Sequence, residues 1–302
     1  MRLSPPVLQK GDVVGIAATA RKVDLSELEA ATRMLESWGL QVQHAPGLFE
    51  SDHQFAGSDN VRAAGFQALL DDSRVKAILL ARGGYGTVRM VDMLDFDAFH
   101  QHPKWIIGFS DATVLHAHIQ RHVGCETLHA PMALTFPSST EAAVDRLQRV
   151  LFGEAPVYTI PAHPQNRKGT AEGMLTGGNL SVLYSLLGSS SDADWTDRIL
   201  FLEDLDEYLY HIDRMMVNLR RSGKLQGLAG LVVGGCTDMK DNQVPFGKTA
   251  EEIISDAVSS YGYPVCFGFP AGHVAENMPL IMGRKVFLEV DDAVRLTFAD
   301  HG

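Results

Sequence analysis

Two short, unbroken apolar runs in the first half restrict the fold most: VKAILLA at 75–81 and KWIIGF at 104–109. A strand with one wet face alternates apolar and polar residues. A run without alternation suits a strand covered on both faces, as in a parallel sheet between helices. The neighbouring segments fit that arrangement. DVVGIAATA (12–20) and LQVQHA (40–45) read as strands. DLSELEAATRMLESWG (24–39) reads as a helix. Asp24 caps it with Glu27 three residues on, Leu25, Leu28, Ala31, Leu35 and Trp38 recur at helical spacing, and Gly39 stops it. A second helix over 59–72 places Val61, Phe66, Leu69 and Leu70 inward. Further helices follow Asp111 and span 140–153. This βαβα series predicts an α/β, doubly wound, mostly parallel N-terminal domain over residues 1–153.

The stretch 154–173 breaks the pattern with Pro156, Pro161 and Pro164 and a polar middle, and reads as the connection to a second domain. Over 174–302, strands are expected at 198–204, 228–235, 264–270, 285–290 and 293–298, with helices near 206–222 and 249–260. That mixture predicts a C-terminal α+β domain.

No apolar run approaches the roughly 20 residues of a membrane-spanning helix, and the N-terminus lacks the apolar core of a secretory signal. A cytoplasmic protein with no membrane partner is the expectation. The net charge is −11 and no Lys/Arg block occurs, which argues against nucleic acid, since phosphate contacts supply most of that affinity. The three cysteines, Cys125, Cys236 and Cys266, form no CxxC pair, so neither a disulfide framework nor a zinc knuckle is indicated.

Four stretches carry candidate chemistry. Ser110, in WIIGFSDAT, falls at the carboxyl end of a predicted parallel strand, where α/β folds bind ligands. The following amide, on Asp111, would open a helix and point at an oxyanion formed near Ser110. The order resembles a nucleophile elbow without its second glycine, and a helix N-cap is the plainer reading. ARGGYG (81–86) follows another strand; Gly83, Gly84 and Gly86 could expose N–H groups to a phosphate or an oxyanion, or could form a tight turn. Glu203 is preceded directly by ILFL, and an acid on a buried run needs a partner such as an imidazole. The acids around it (Asp204, Asp206, Glu207, Asp213) read mostly as solvated helix-start residues. His273, in the Pro/Gly-rich FGFPAGH, is either a general base or an exposed loop histidine.

Two further patterns are set aside. His116, His118, His122, Cys125 and His129 cluster in sequence, and His118 and His122 share a helical face, but no Glu completes a zinc motif. Packed histidines are the expected reading, with no metal. FGKT (246–249) lacks the glycine a P-loop needs. No cofactor is called for.

Together Ser110, Glu203 and His273 supply a nucleophile, an acid and a base. The N–H groups of Gly84 and Asp111 would hold the oxyanion, and the site would lie in the cleft between domains. Arg82 is placed to bind a substrate carboxylate, with Gly83 beside it, or else to form a structural ion pair.

ARGGYG (81–86), IIGFSDAT (106–113), TGGNLSVL (176–183), LFLEDLDEYLYHIDRM (200–215) and GFPAGH with PLIMG (268–283) occur in an order that resembles the LD-carboxypeptidase family of serine peptidases, which includes murein tetrapeptide carboxypeptidases and microcin-immunity hydrolases. The resemblance implies a Ser110–Glu203–His273 triad, an oxyanion hole from Gly84 and Asp111, no metal, and a homodimer. It implies a cytoplasmic muropeptide substrate that loses D-Ala from an L,D bond during wall recycling. IAATA at the end of the first strand and CTDMKDNQVPFGK at 236–248 depart from the family pattern and leave specificity open. A microcin-immunity-like hydrolase of acylated aminonucleotides and a non-catalytic two-domain ligand binder are the competing expectations.

Overall fold

The computed structural model describes residues 3–300 and divides most of its strands between two sheets. The first contains β1 (Val13–Ala17), β2 (Gln41–His44), β3 (Val75–Leu80), β4 (Trp105–Gly108) and β5 (Thr127–His129), all parallel. β4 is buried throughout and β3 everywhere except Lys76, as their unbroken apolar runs require. Ala77 and Leu79 pack with α1 (Leu25–Ser37) on one face, while Ile78 and Leu80 pack with α2 (Asp59–Asp71) on the other. A short α3 (Asp97–Gln101) follows. Of the remaining helices of this half, α4 (Thr113–His122) lies on the α2 face and α5 (Glu141–Leu151) on the α1 face. The Glu27 carboxylate accepts the Asp24 N–H at 2.8 Å, so α1 begins as expected. Leu25, however, is 57% exposed: the buried stripe starts one turn later, at Leu28. Val61 is only half-buried.

The second sheet contains β6 (Val157–Pro161), β7 (Gly169–Asn179), β8 (Arg198–Leu205), β9 (Gly230–Thr237) and β10 (Val265–Cys266). β11 (Leu280–Met282) leaves it to join the first sheet, and β12 (Lys285–Val290) and β13 (Ala293–Phe298) return. The order is β10-β9-β8-β7-β12-β13-β6. The β7–β10 half is parallel and the other half antiparallel, which is the mixed domain expected. Helices α6 (Leu180–Ser185), α7 (Leu209–Arg221) and α8 (Ala250–Ala257) cover one face. The opposite face shares a continuous apolar cluster with the first sheet, running from Val14 and Ile107 to Phe201 and Leu288.

Two differences from expectation have simple causes. Residues 154–173 are not a free connection, because they include β6 and the start of β7. β6 is an edge strand, where proline removes no needed ladder bond, and buried Tyr158 pins it by donating to Pro279 O at 2.6 Å. The strand expected over 264–270 shrinks to Val265–Cys266, since Gly268 takes φ +72° and turns the chain away. Among the described residues no helix is long and apolar enough to cross a membrane.

Candidate active site

β3 and β4 are neighbours, so the loops after them leave the sheet side by side. β4 stops at Gly108, Phe109 remains extended, and Ser110 swings to φ +62° before a single 3-10 turn leads into α4. A non-glycine residue in the left-handed region costs on the order of 1–2 kcal/mol. The Ser110 hydroxyl caps nothing: Phe109 and Ala112 occupy the cap positions of the turn and of α4, and neither makes a side-chain cap bond. The plainer reading of Ser110 is therefore corrected. Preference for serine at caps is a statement about extended residues before a helix, and this serine is not extended.

The glycines after β3 let that loop meet the serine. A methyl group on Gly83 would sit 3.1 Å from Ser110 Cβ and 3.3 Å from Oγ. Gly84 takes φ +118°, and a methyl there would lie 2.7 Å from Arg21 Cγ and Cδ. The Asp111 side chain turns inward and accepts the Thr87 N–H at 2.9 Å. Burial pushes its carboxyl pKa up, against the Thr87 hydrogen bonds and the charge of Arg62. Arg62, itself buried, donates to Gly86 O at 2.9 Å and to Thr19 O at 2.5 Å and pairs with Asp59. The turn bearing Ser110 and the glycine loop are thus tied together from beneath.

Glu203 and His273 come from the second sheet. Along β8, Ile199 and Phe201 face the shared core while Leu200 and Leu202 face α7 and α8. By the same alternation Glu203 points towards the first sheet and Asp204 away from it. The β8–β9 register skips one residue between Leu202 and Asp204 at that point. Glu203 is 1% exposed, and its Oε2 accepts His273 Nδ1–H at 2.6 Å and the His273 backbone N–H at 3.2 Å. Burial alone would depress the His273 pKa, but the hydrogen bond and charge of Glu203 outweigh it and hold the imidazole above its ordinary value. Gly272, at φ +104°, permits the contact: a methyl there would stand 2.6 Å from Glu203 Cβ and 2.7 Å from Oε2. Asn277 Oδ1 accepts the Gly272 N–H at 2.8 Å.

The halves meet at Phe109, whose ring centroid is 4.8 Å from that of His273. They meet again at the start of α4, where Thr113 Oγ1 accepts the Asn179 N–H at 3.0 Å. A cleft of about 340 Å³ opens beside His273 between Phe109, Val274, Asn277 and the hydroxyls of Thr135, Ser138 and Ser139. Ser110, Gly83 and Asp111 thus belong to the loops of the first sheet, and Glu203 and His273 to the second. Arg82 forms no ion pair among the described residues; its Nη1 donates to Lys22 O at 3.2 Å.

Asp204 corrects another expectation. It is 1% exposed rather than solvated, and accepts from Asn179 Nδ2, the Ser181 N–H and its neighbour Leu205 N–H, each at 2.9 Å. Burial first, and then the charge of Glu203, raise its pKa to about 7. The clustered histidines serve packing. His116 accepts from Thr127 and donates to Gly108 O, and burial lowers its pKa to about 4. His118 pairs with Ser191 Oγ and His122 donates to Ser190 O. Among the described residues no group of three or more His, Cys, Asp or Glu is placed to hold a metal ion.

Two family models match the chain: the LD-carboxypeptidase N-terminal domain over residues 14–130 and the LD-carboxypeptidase C-terminal domain over 172–288. The scaffold is that of a two-domain peptidase. The chain belongs to the LD-carboxypeptidase family. It is 36% identical over 298 residues to the probable murein peptide carboxypeptidase of Bacillus subtilis, covering 94% of this chain and 91% of that protein. The murein tetrapeptide carboxypeptidase of Pseudomonas aeruginosa is 29% identical over 292 residues, with 91% and 92% covered. Among solved structures, muramoyltetrapeptide carboxypeptidase from Oxalobacter formigenes superposes with a TM-score of 0.87 at 26% identity, over 96% of this chain and 99% of that one. MccF in complex with glutamyl sulfamoyl guanosine superposes with a TM-score of 0.86 at 20% identity, over 97% and 98% of the two chains, a likeness of fold alone.

Proposed function

We propose that this protein is a serine carboxypeptidase that removes the terminal D-Ala from muropeptide tetrapeptides by hydrolysing an L,D bond, acting as a cytoplasmic homodimer in wall recycling. The observation that carries the reading is the pair of buried Glu203 and half-buried His273 at 2.6 Å, set against Phe109, the residue before Ser110. The names of the similar proteins from B. subtilis, P. aeruginosa and O. formigenes support the choice of murein peptide substrate.

Glu203 accepts from Nδ1, so that nitrogen holds the hydrogen and Nε2 is left as the base. Ser110 Oγ attacks the carbonyl carbon before D-Ala as Nε2 takes its proton. Glu203 stabilises the imidazolium. The amides of Gly84 and Asp111 receive the oxyanion. Collapse breaks the C–N bond, and the proton on Nε2 passes to the leaving amine. Water then attacks the acyl-serine, gives its proton to Nε2, and the proton returns to Ser110 as the shortened peptide departs.

Mass spectrometry of a tetrapeptide muropeptide after incubation tests this directly. The expected product is lighter by one alanine residue and does not form with Ser110→Ala. An intact tetrapeptide, with hydrolysis of an acylated aminonucleotide in its place, would overturn the substrate assignment.

A further inference from the structure

A carboxypeptidase must recognise a free terminal carboxylate, and Ser110, Glu203 and His273 contain no fixed cation to do so. Among the described residues neither Arg21 nor Arg82 has an ion-pair partner that would occupy its guanidinium, although Arg82 Nη1 donates to Lys22 O at 3.2 Å.

Both stand on loops that leave the first sheet on the side of Ser110. Arg21 follows β1 and Arg82 follows β3, adjacent parallel strands whose carboxyl ends open on the same side as that of β4. The Arg21 side chain lies along Gly84: a methyl group there would come within 2.7 Å of its Cγ and Cδ and 2.8 Å of its Nε. Gly83, one residue earlier, is the glycine that abuts Ser110. The Arg82–Lys22 bond ties the two arginine-bearing segments together. A terminal carboxylate is only one residue beyond the scissile carbonyl, about 3.8 Å of chain. Gly84, on which Arg21 lies, is one such step along the loop from Gly83, which abuts Ser110, and the planar fork of a guanidinium suits a carboxylate.

We propose that Arg21, assisted by Arg82, binds the terminal α-carboxylate of the substrate and makes the enzyme an exopeptidase. The proposal rests on the carboxypeptidase reading of Ser110. Arg21 is exposed, so its replacement leaves the core intact.

The test compares a tetrapeptide having a free C-terminus with the same peptide ending in a carboxamide. Turnover is measured with wild type, Arg21→Gln, Arg21→Lys and Arg82→Gln, and binding of both peptides to Ser110→Ala, with and without Arg21→Gln, is measured by calorimetry. Wild type should favour the acid. Arg21→Gln should raise KM for the acid by on the order of 30-fold, the lower end for losing one partner of a hydrogen-bonded charge pair, and bring acid and amide level. Arg21→Lys should keep part of the preference, and Arg82→Gln should weaken it less than Arg21→Gln. A preference that survives Arg21→Gln, or a loss equal for both peptides, overturns the assignment. If wild type cleaves neither peptide, the catalytic reading fails. In that case tighter binding of the acid to Ser110→Ala, abolished by Arg21→Gln, still supports the carboxylate site, and equal binding overturns it.

Discussion

The two halves of the proposed site are held by different means. On the first sheet, Ser110 is placed by backbone: a left-handed residue between strand and helix, met by a loop whose glycines have no side chain to keep it away. On the second sheet, half-buried His273 is placed by its hydrogen bonds to Glu203, which ends a buried run. A nucleophile needs a fixed direction of approach, which dihedral angles supply. An acid–base pair needs a tuned proton affinity, which burial and a neighbouring charge supply. The first side should therefore respond to substitution chiefly in geometry, and the second chiefly in pH dependence.

Ser110→Ala gives the largest expected effect. Triad serines removed alone cost about a million-fold in kcat, and steady-state kinetics with an unchanged melting temperature would locate the loss in chemistry. Glu203→Gln preserves size and removes the charge. A fall of roughly 10³- to 10⁴-fold is expected, by analogy with the acid of other triads, together with a shift in the acid limb of the pH–rate profile. The imidazole must be neutral to act as base. In wild type, activity therefore fades as pH falls through a His273 pKa that Glu203 has raised. Without that charge the limb moves to lower pH, and a limb that stays in place would detach Glu203 from His273 function.

Gly272→Ala attacks the base side through geometry instead. The added methyl would overlap Glu203, and the residue would be strained at φ +104°. About 2–5 kcal/mol of stability should go, from combined strain and overpacking, read by chemical denaturation. Ser110→Gly is the counterpart on the other side. It should be inactive yet more stable by about 0.5–1 kcal/mol, because relief of the left-handed conformation exceeds glycine's added entropy cost. Lower stability would mean that the turn is not strained.

A smaller effect couples the two properties. His273 and Asp204 both have raised pKa values in the fold, Asp204 about 7. Each binds its proton more tightly folded than unfolded. The stability each contributes is full below its unfolded pKa, about 3.9 for Asp and about 6.5 for His, and is lost as pH rises through the folded value. Melts from pH 5.5 to 8 should show stability declining modestly while kcat/KM climbs.

Much of the first sheet was legible because covered parallel strands leave continuous apolar runs, and α1 because its cap and stripe are local. Ser110, Glu203 and His273 were readable as residues at strand ends. Their surroundings were not. The left-handed turn at Ser110 leaves no compositional mark, since serine is common both in caps and in loops. Asp204 looked like one of several solvated acids, because nothing local tells that both members of an adjacent Glu–Asp pair are enclosed. Its partner Asn179 lay within the TGGNLSVL stretch, but a pairing across 25 residues has no periodicity to reveal it. Arg21 sits in an unremarkable ATARKVD, and only the return of the loop at Gly84 gives it a place. β11 was missed because three apolar residues are too few to declare a strand without the partner that orders them.

That short strand has a consequence for biosynthesis. β11 closes the edge of the first sheet by pairing antiparallel with β5, and the residues after it are bonded to β7, with Gly283 N–H to Leu175 O at 2.7 Å and Leu175 N–H to Arg284 O at 2.9 Å. A nascent chain that has emerged only as far as α5 has every other strand of its first sheet but an open β5 edge. It must wait for roughly 130 more residues, at about 5–20 residues per second, before that edge is covered. The same stretch brings His273 into place, so completion of the first sheet and arrival of the proposed base are one late event. An unfinished chain therefore carries Ser110 without His273, and an exposed strand edge on which a chaperone, or another unfinished copy, could act first.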